Sequence, residues 1–441
     1  MQIPLLYGRG RRMISLPDDA EITLIRKPAM PFLSEPDQAV VEALRHPVFD
    51  PGKPQRSFAK LAAGRSSACI AICDITRPVP NRLFLRPLIQ TMIRAGIPAN
   101  RITVLIATGL HRPNLGDELA ELIGDPWVLE NVHVVNHDAL ADKEHVNLGR
   151  TSTRQTPVKI DRRFVEADLR IATGLVEPHF MAGYSGGRKV VAPGLAHVDT
   201  ITTFHNHAFM SDPAATNCNL AGNPLHEEQL QIIEMIGGAF GLNTVLDEHR
   251  RLSMVNFGEI TASHREAVAF IAEYCRVAVP EQFATVVTSA AGYPLDKTYY
   301  QTVKGMVGPV EILRPGGNLI VVSECGDGLG SPAYVEAQRQ LIRLGEQGFL
   351  QSIRNKPLAA IDEWQTQMQT KATHQGKVML ASSLSAEEQM LTGVRCIDDV
   401  DEAIRKSIQT HDCNKVAIVP EGPYVVPYLA APGDGTLAEP G

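Results

Sequence analysis

From Ser67 onward, short apolar runs alternate with stretches of helical pattern, and this alternation leaves few architectures open. Ala68–Cys73, Ile102–Ala107 and the runs 132–135 and 169–176 read as buried strands, with helices expected over 83–95 and 117–123 between them. Strand and helix in turn predict a mostly parallel sheet covered by helices on both faces. A helix after Glu227, a strand over 242–246, a hairpin near 251–257 and a helix over 265–274 extend the pattern. It then restarts, with strands expected over 284–289, 318–323, 378–380 and Lys415–Val419 and helices over 334–344, around Trp364 and over 400–408. The first 30 residues read as short β segments, followed by a helix over 37–45. At 441 residues the chain exceeds the size at which one core keeps growing. The expectation is an α/β protein of two domains, each a mostly parallel sheet flanked by helices: 1–277, then 278–430, then a flexible tail over 431–441.

The net charge of −7 argues against a nucleic-acid surface, so an anionic ligand has to meet a local positive cluster. With no apolar run long enough to span a bilayer, no membrane association is expected, and the protein reads as cytoplasmic. The seven cysteines sit mostly in apolar contexts, as reduced core thiols do. Cys69 and Cys73 lie four apart in one such run, and no second thiol pair at zinc spacing follows them.

In sheets of this kind ligands bind beyond the carboxyl ends of the strands. Three such ends carry chemistry: Asp74 to Pro78, Thr108 to Pro113, and Glu177 to His179. Topology alone therefore gathers Asp74, Arg77, His111 and His179 at one rim. Two histidines on one pocket form a matched acid and base near neutral pH, or else are surface or satisfied core residues. Arg77 and Lys304 are surface charges, or forks for a carboxylate. After the run 169–176 comes a glycine-rich loop, Gly183 to Lys189, in which Gly183, Gly186 and Gly187 permit positive φ. With Arg188 and Lys189 it reads either as an anion cradle or as an ordinary strand-to-helix loop with a solvated basic pair. It is not a P-loop, because Val190 follows the lysine, and neither a GxGxxG fingerprint nor a His-Glu-x-x-His zinc motif occurs at the expected places. His205 and His207 are two apart, which on a helix points them to different faces and on a strand to the same one.

Taken together, Asp74-Ile-Thr-Arg77-Pro, Ala107-Thr-Gly-Leu-His111, His179-Phe-Met-Ala-Gly-Tyr-Ser-Gly-Gly-Arg-Lys189, His205 and Gly292-Tyr-Pro-Leu-Asp, running on to Tyr300-Gln301 and Lys304-Gly-Met, resemble the nickel-dependent lactate racemase family. The match is ordered and runs from about Ser67 to Lys415. The resemblance implies an isomerase that inverts C2 of a 2-hydroxy acid by hydride transfer through a 2-keto acid, with the active site in the cleft between the domains. It also implies a nickel pincer nucleotide, a pyridinium mononucleotide attached covalently at Lys189, with His205 completing the nickel coordination and Gly186, Gly187 and Arg188 around the cofactor. His111 and His179 would carry protons on the two sides of the planar intermediate. Arg77, Gln301 and Lys304 would hold the substrate carboxylate, with Asp74, Tyr300 and Trp364 lining the same site. Partners implied are a small 2-hydroxy acid and the enzymes that make the cofactor. The competing readings are a non-catalytic binding protein for an anionic nucleotide or sugar acid, separated by nickel content, and a nicotinamide dehydrogenase, separated by reduction of added NAD.

Overall fold

A computed structural model of the chain describes residues 1–430; the tail expected over 431–441 lies outside them. Two six-stranded sheets dominate. In the first, the order is Leu252–Glu259, Phe240–Leu246, Leu169–Leu175, Ala68–Cys73, Ile102–Ala107, His133–Asn136. All pairs are parallel except the edge hairpin of Phe240–Leu246 with Leu252–Glu259. The central strands are apolar throughout because both faces are covered. Ile70, Ile72, Val104 and Ile106 pack on one side with Phe84, Leu85 and Leu88 of helix Asn81–Arg94. Cys69, Ala71 and Leu105 face the other core, with Phe164 and Val191.

Chain order runs outward in both directions from the neighbours Ala68–Cys73 and Leu169–Leu175, so their carboxyl ends flank a topological switch point where a crevice opens. The second sheet, all parallel, has the order Arg395–Cys396, Lys377–Ala381, Leu313–Val322, Phe283–Ser289, Lys415–Val419, Glu21–Leu24. Its helices Tyr299–Val307 and Glu363–Gln375 turn toward the first sheet and share one continuous core with it.

One expectation fails at the start of the chain. Residues 1–277 do not form a single body, because Glu21–Leu24 pairs in parallel with Lys415–Val419 in the second sheet. The hairpin Gln2–Tyr7/Gly10–Ser15 lays Ile3, Leu5, Ile14 and Leu16 on Val287, Ile320 and Val322 of that sheet. A four-residue strand with mixed exposure carries no signal of its partner. The chain thus crosses between the sheets twice, after Ile25 and again at Arg276–Val279, which pairs with Val426–Leu429. The hairpin His145–Arg150/Pro157–Asp161 was also not anticipated, since its strands are only partly buried.

Candidate active site

The crevice at the switch point is a cleft open to solvent and lined from both domains. Asp74, Arg77, His111, His179, Gly186, Lys189 and His205 reach it from the first domain, and Tyr300, Gln301, Lys304 and Trp364 from the second.

Asp74 follows the last residue of strand Ala68–Cys73 and is buried. One carboxylate oxygen accepts from the Thr76 hydroxyl at 2.6 Å and the other from His111 Nδ1 at 2.6 Å. The His111 backbone is fixed by a turn from its N–H to Thr108 O, with Gly109 at φ +55. Its ring stands at the mouth of the cleft, 42% exposed. Burial works to lower the imidazole's pKa, but the charge of Asp74 and the hydrogen bond to it outweigh this and leave it above the ordinary value. Asp74 is held below the usual carboxylate range against its own burial, by His111 first and then by Thr76.

His179 is set differently. It lies in the two-residue strand Pro178–His179, paired with Gly183–Tyr184, and its Nδ1 accepts the backbone N–H of Met181 at 3.3 Å and of Ala182 at 3.2 Å. The tight return needs Gly183 at φ +76, where a Cβ would come within 2.2 Å of Asn219 O. Burial, reinforced by the charges of Lys189, Arg77 and Lys304, holds this imidazole well below its ordinary value. The two imidazoles of one cleft are thus pulled in opposite directions.

Arg77 stands close enough to both lysines to depress their pKa values. Burial, then Arg77, brings the Lys189 amine down to about 7, and burial with Arg77 and Lys189 holds Lys304 well below the usual lysine range. Lys304 touches the amide oxygen of Gln301, one turn back on helix Tyr299–Val307. Arg77 pairs with buried Glu177, whose second oxygen has no partner among the described residues. A half-buried group of basic side chains facing an open cleft suits a carboxylate ligand.

His205 ends helix Val198–Phe204, and its Nδ1–H donates to Ile201 O at 2.8 Å, which leaves Nε2 as the free lone pair. Burial brings its pKa to about 4, so the ring is neutral at physiological pH. The Trp364 ring lies over it, with centroids 4.8 Å apart and planes tilted by 39°. Trp364 Nε1–H donates to the Tyr300 hydroxyl at 3.3 Å, and burial, helped by the nearby Asp362 carboxylate, holds that phenol well above its ordinary value.

Two expected cofactor contacts, Arg188 and Gly187, do not line the cleft. Neighbours on a helix point about 100° apart, so with Lys189 inward Arg188 turns away. Its guanidinium is buried, donating to Tyr184 O at 3.1 Å and Ala182 O at 2.9 Å against the His264 ring. Burial lowers it to about 9. Gly187 is required by that same packing, since a Cβ there would meet the His264 ring at 2.8 Å. Arg188 is thus a clamp for the loop. Gly186 does line the cleft, at φ +74, where a Cβ would meet Val176 Cγ2 at 2.8 Å.

The sequence alone assigns no specific role to Glu177 or Asp362. Glu177 stands two residues before His179, within one of the three strand ends that carry chemistry. Asp362 gave no signal: it lines the cleft from a loop, at φ +64, with its carboxylate accepting from Ser331 Oγ at 2.5 Å.

Among the described residues no group of three or more His, Cys, Asp or Glu is arranged to hold a metal ion, and no helix is long and apolar enough to cross a membrane.

Comparison with known proteins covers both domains. Residues 7–217 match the model of the lactate racemase N-terminal domain and residues 279–426 that of the lactate racemase C-terminal domain. The chain is 31% identical over 440 residues to a lactate racemase of Thermoanaerobacterium thermosaccharolyticum, covering 96% of this chain and 98% of the relative. It is 32% identical over 368 residues to a lactate racemase of Lactiplantibacillus plantarum, covering 82% and 85%. Its fold superposes on the lactate racemase apoprotein of T. thermosaccharolyticum with a TM-score of 0.87 at 29% identity, over 97% of this chain and all of that one. A Thermotoga maritima protein shares the fold at a TM-score of 0.67 and 17% identity.

Proposed function

Since the chain belongs to the lactate racemase family, an isomerase family, we propose that it inverts the C2 centre of a 2-hydroxy acid with the help of a nickel pincer nucleotide tethered at Lys189. The residues present fit that group. A lysine amine lowered to about 7 is about half uncharged at neutral pH, which makes it available as the nucleophile that a covalent tether requires. His205 offers one neutral imidazole with its far nitrogen already fixed, the usual preparation of a metal ligand. The remaining ligands would come from the nucleotide, whose soft donor atoms together with one imidazole suit nickel. When bound, the group supplies a hydride acceptor and donor, so the substrate passes through a planar 2-keto acid.

The chain's own residues do the rest. Arg77, Lys304 and Gln301 bind the substrate carboxylate and fix the plane in which C2 is re-reduced. The hydroxyl proton has to leave and return as the carbon inverts, so one ring must be empty while the other is loaded. The unequal settings of His111, favoured as imidazolium, and His179, favoured neutral, meet that condition across the pH range between their two values. This pairing on a single cleft is the observation that carries the reading. Trp364 and Tyr300, brought by the second domain, cover His205 and exclude water from the hydride path. The enzymes that build the cofactor are the partners this requires, and the cytoplasm is the compartment we assign.

The test is loss of optical rotation by single enantiomers of lactate and of longer, aromatic, dicarboxylic and aldonic 2-hydroxy acids, without added NAD. Protein made together with the cofactor-synthesis enzymes is expected to racemise or epimerise at least one of them. Inactivity on the whole panel, with nickel at one equivalent, would refute the proposal.

A further inference from the structure

Outside the cleft, one pair of side chains has reactive geometry that the isomerase reading does not use. Cys218 and Cys275, 57 positions apart in the chain, hold their sulfur atoms 3.8 Å from each other. We propose that these two residues form a reactive dithiol, a site for low-molecular-weight disulfides, which oxidise it to an intramolecular disulfide.

Cys218 is partly exposed, in the loop over 211–223, whereas Cys275 is buried at the last residue of helix Ile260–Cys275. The outer sulfur is therefore the one a reagent reaches first. It has the surroundings of a nucleophilic thiolate: the Cys275 thiol is its hydrogen-bond partner, Tyr184 belongs to the cluster it packs against, and Arg276 adds positive charge. Hydrogen bonding from Cys275, opposed by burial and helped by Tyr184 and Arg276, lowers its pKa, while burial pushes Cys73 and Cys325 up to about 11. To bond, the sulfurs must close by only about 1.8 Å.

The exchange balances without any further reagent. Cys218 Sγ attacks one sulfur of the small disulfide, whose S–S bond breaks and releases one half as a thiolate. Cys275 then gives up its proton to solvent and attacks the Cys218 sulfur, so that the protein S–S bond forms and the second half leaves as a thiolate. Two electrons pass from the protein thiols to the reagent, which ends as two thiols. A reducing compartment keeps the resting pair as thiols.

The bond would join two pieces of the fold that bear on the site. The Cys218 N–H donates to Gly183 O at 3.0 Å, holding the loop to the hairpin that carries His179. Cys275 directly precedes Arg276–Val279, where the chain passes into the second domain.

The experiment treats the full-length protein at neutral pH with oxidised glutathione, followed by intact mass and non-reducing peptide mapping. The expected product is lighter by two hydrogens, contains a Cys218–Cys275 linked peptide, and reverts with dithiothreitol. Cys275→Ala should instead retain one glutathionyl group on Cys218, because no second thiol is left to displace it. Absence of the linked peptide from the wild-type protein, whether glutathione stays on Cys218 or decorates other cysteines, overturns the proposal. The wild-type result does not depend on how a variant folds, nor on the isomerase activity.

Discussion

Asp74→Asn isolates what sets the proton affinity of His111. The two groups meet at 2.6 Å between Nδ1 and Oδ2, with the carboxylate buried and the ring 42% exposed. A hydrogen bond to a charged partner contributes about 1.5–3 kcal/mol, and water at the exposed ring screens the charge toward the lower end. Taking ~1.5 kcal/mol, and 1.36 kcal/mol per pKa unit, the substitution should lower the His111 pKa by about one unit. In cofactor-free protein this is read directly, as the midpoint of the His111 ring resonance during an NMR titration.

In loaded enzyme, kcat/KM should fall on the alkaline side as His111 loses its proton and on the acid side as His179 gains one. Asp74→Asn should move only the alkaline limb, toward acid, by about the same unit. Stability has a matching signature. A raised histidine pKa contributes fully below the unfolded value of ~6.5 and is lost as pH rises through the folded value, while the depressed Asp74 contributes above ~3.9 and is lost as pH falls through its folded value. The difference in unfolding free energy between wild type and variant should therefore peak between those two limits. A His111 midpoint unchanged by the substitution would refute this account of the pair.

Lys189→Ala, produced alongside the cofactor-synthesis enzymes, should carry no covalent adduct by intact mass. In cofactor-free wild type, Lys189 acetylation should reach half its maximal rate near the amine's lowered value of about 7 rather than ~10.4, and an ordinary lysine profile would contradict the proposed tether. His205→Ala should lose nickel by elemental analysis while keeping the Lys189 adduct; retention of one equivalent of metal would remove His205 from the coordination sphere. Gly183→Ala places a methyl 2.2 Å from Asn219 O at a positive φ, and should cost at least ~2 kcal/mol in urea unfolding. An unmoved midpoint would mean that the hairpin around His179 relaxes freely.

The strands that could be read to the residue, Ala68–Cys73, Ile102–Ala107 and Lys415–Val419, are those buried on both faces, where an unbroken apolar run has one meaning. The site followed from them, because Asp74, His111 and His179 leave strand ends that topology brings together. What stayed hidden depends on direction or distance. Nothing in the pair Arg188-Lys189 says which of two neighbours faces the cleft; the His264 ring, 76 positions away, decides it. Asp362 acts through a loop conformation and Ser331, neither of which leaves a periodic trace.

The strand Glu21–Leu24, seated beside Lys415–Val419, governs the order in which the protein can be built. At ~10 residues per second on a ribosome, its neighbour emerges about 40 s after it. Through that interval the first sheet can close around Ala68–Cys73, while Ile3, Leu5, Ile14 and Leu16 wait without the complete surface they will cover. A nascent chain stalled anywhere before Lys415 therefore exposes an apolar hairpin over residues 2–15, and a chaperone that recognises such a chain should bind it there rather than at the growing tip.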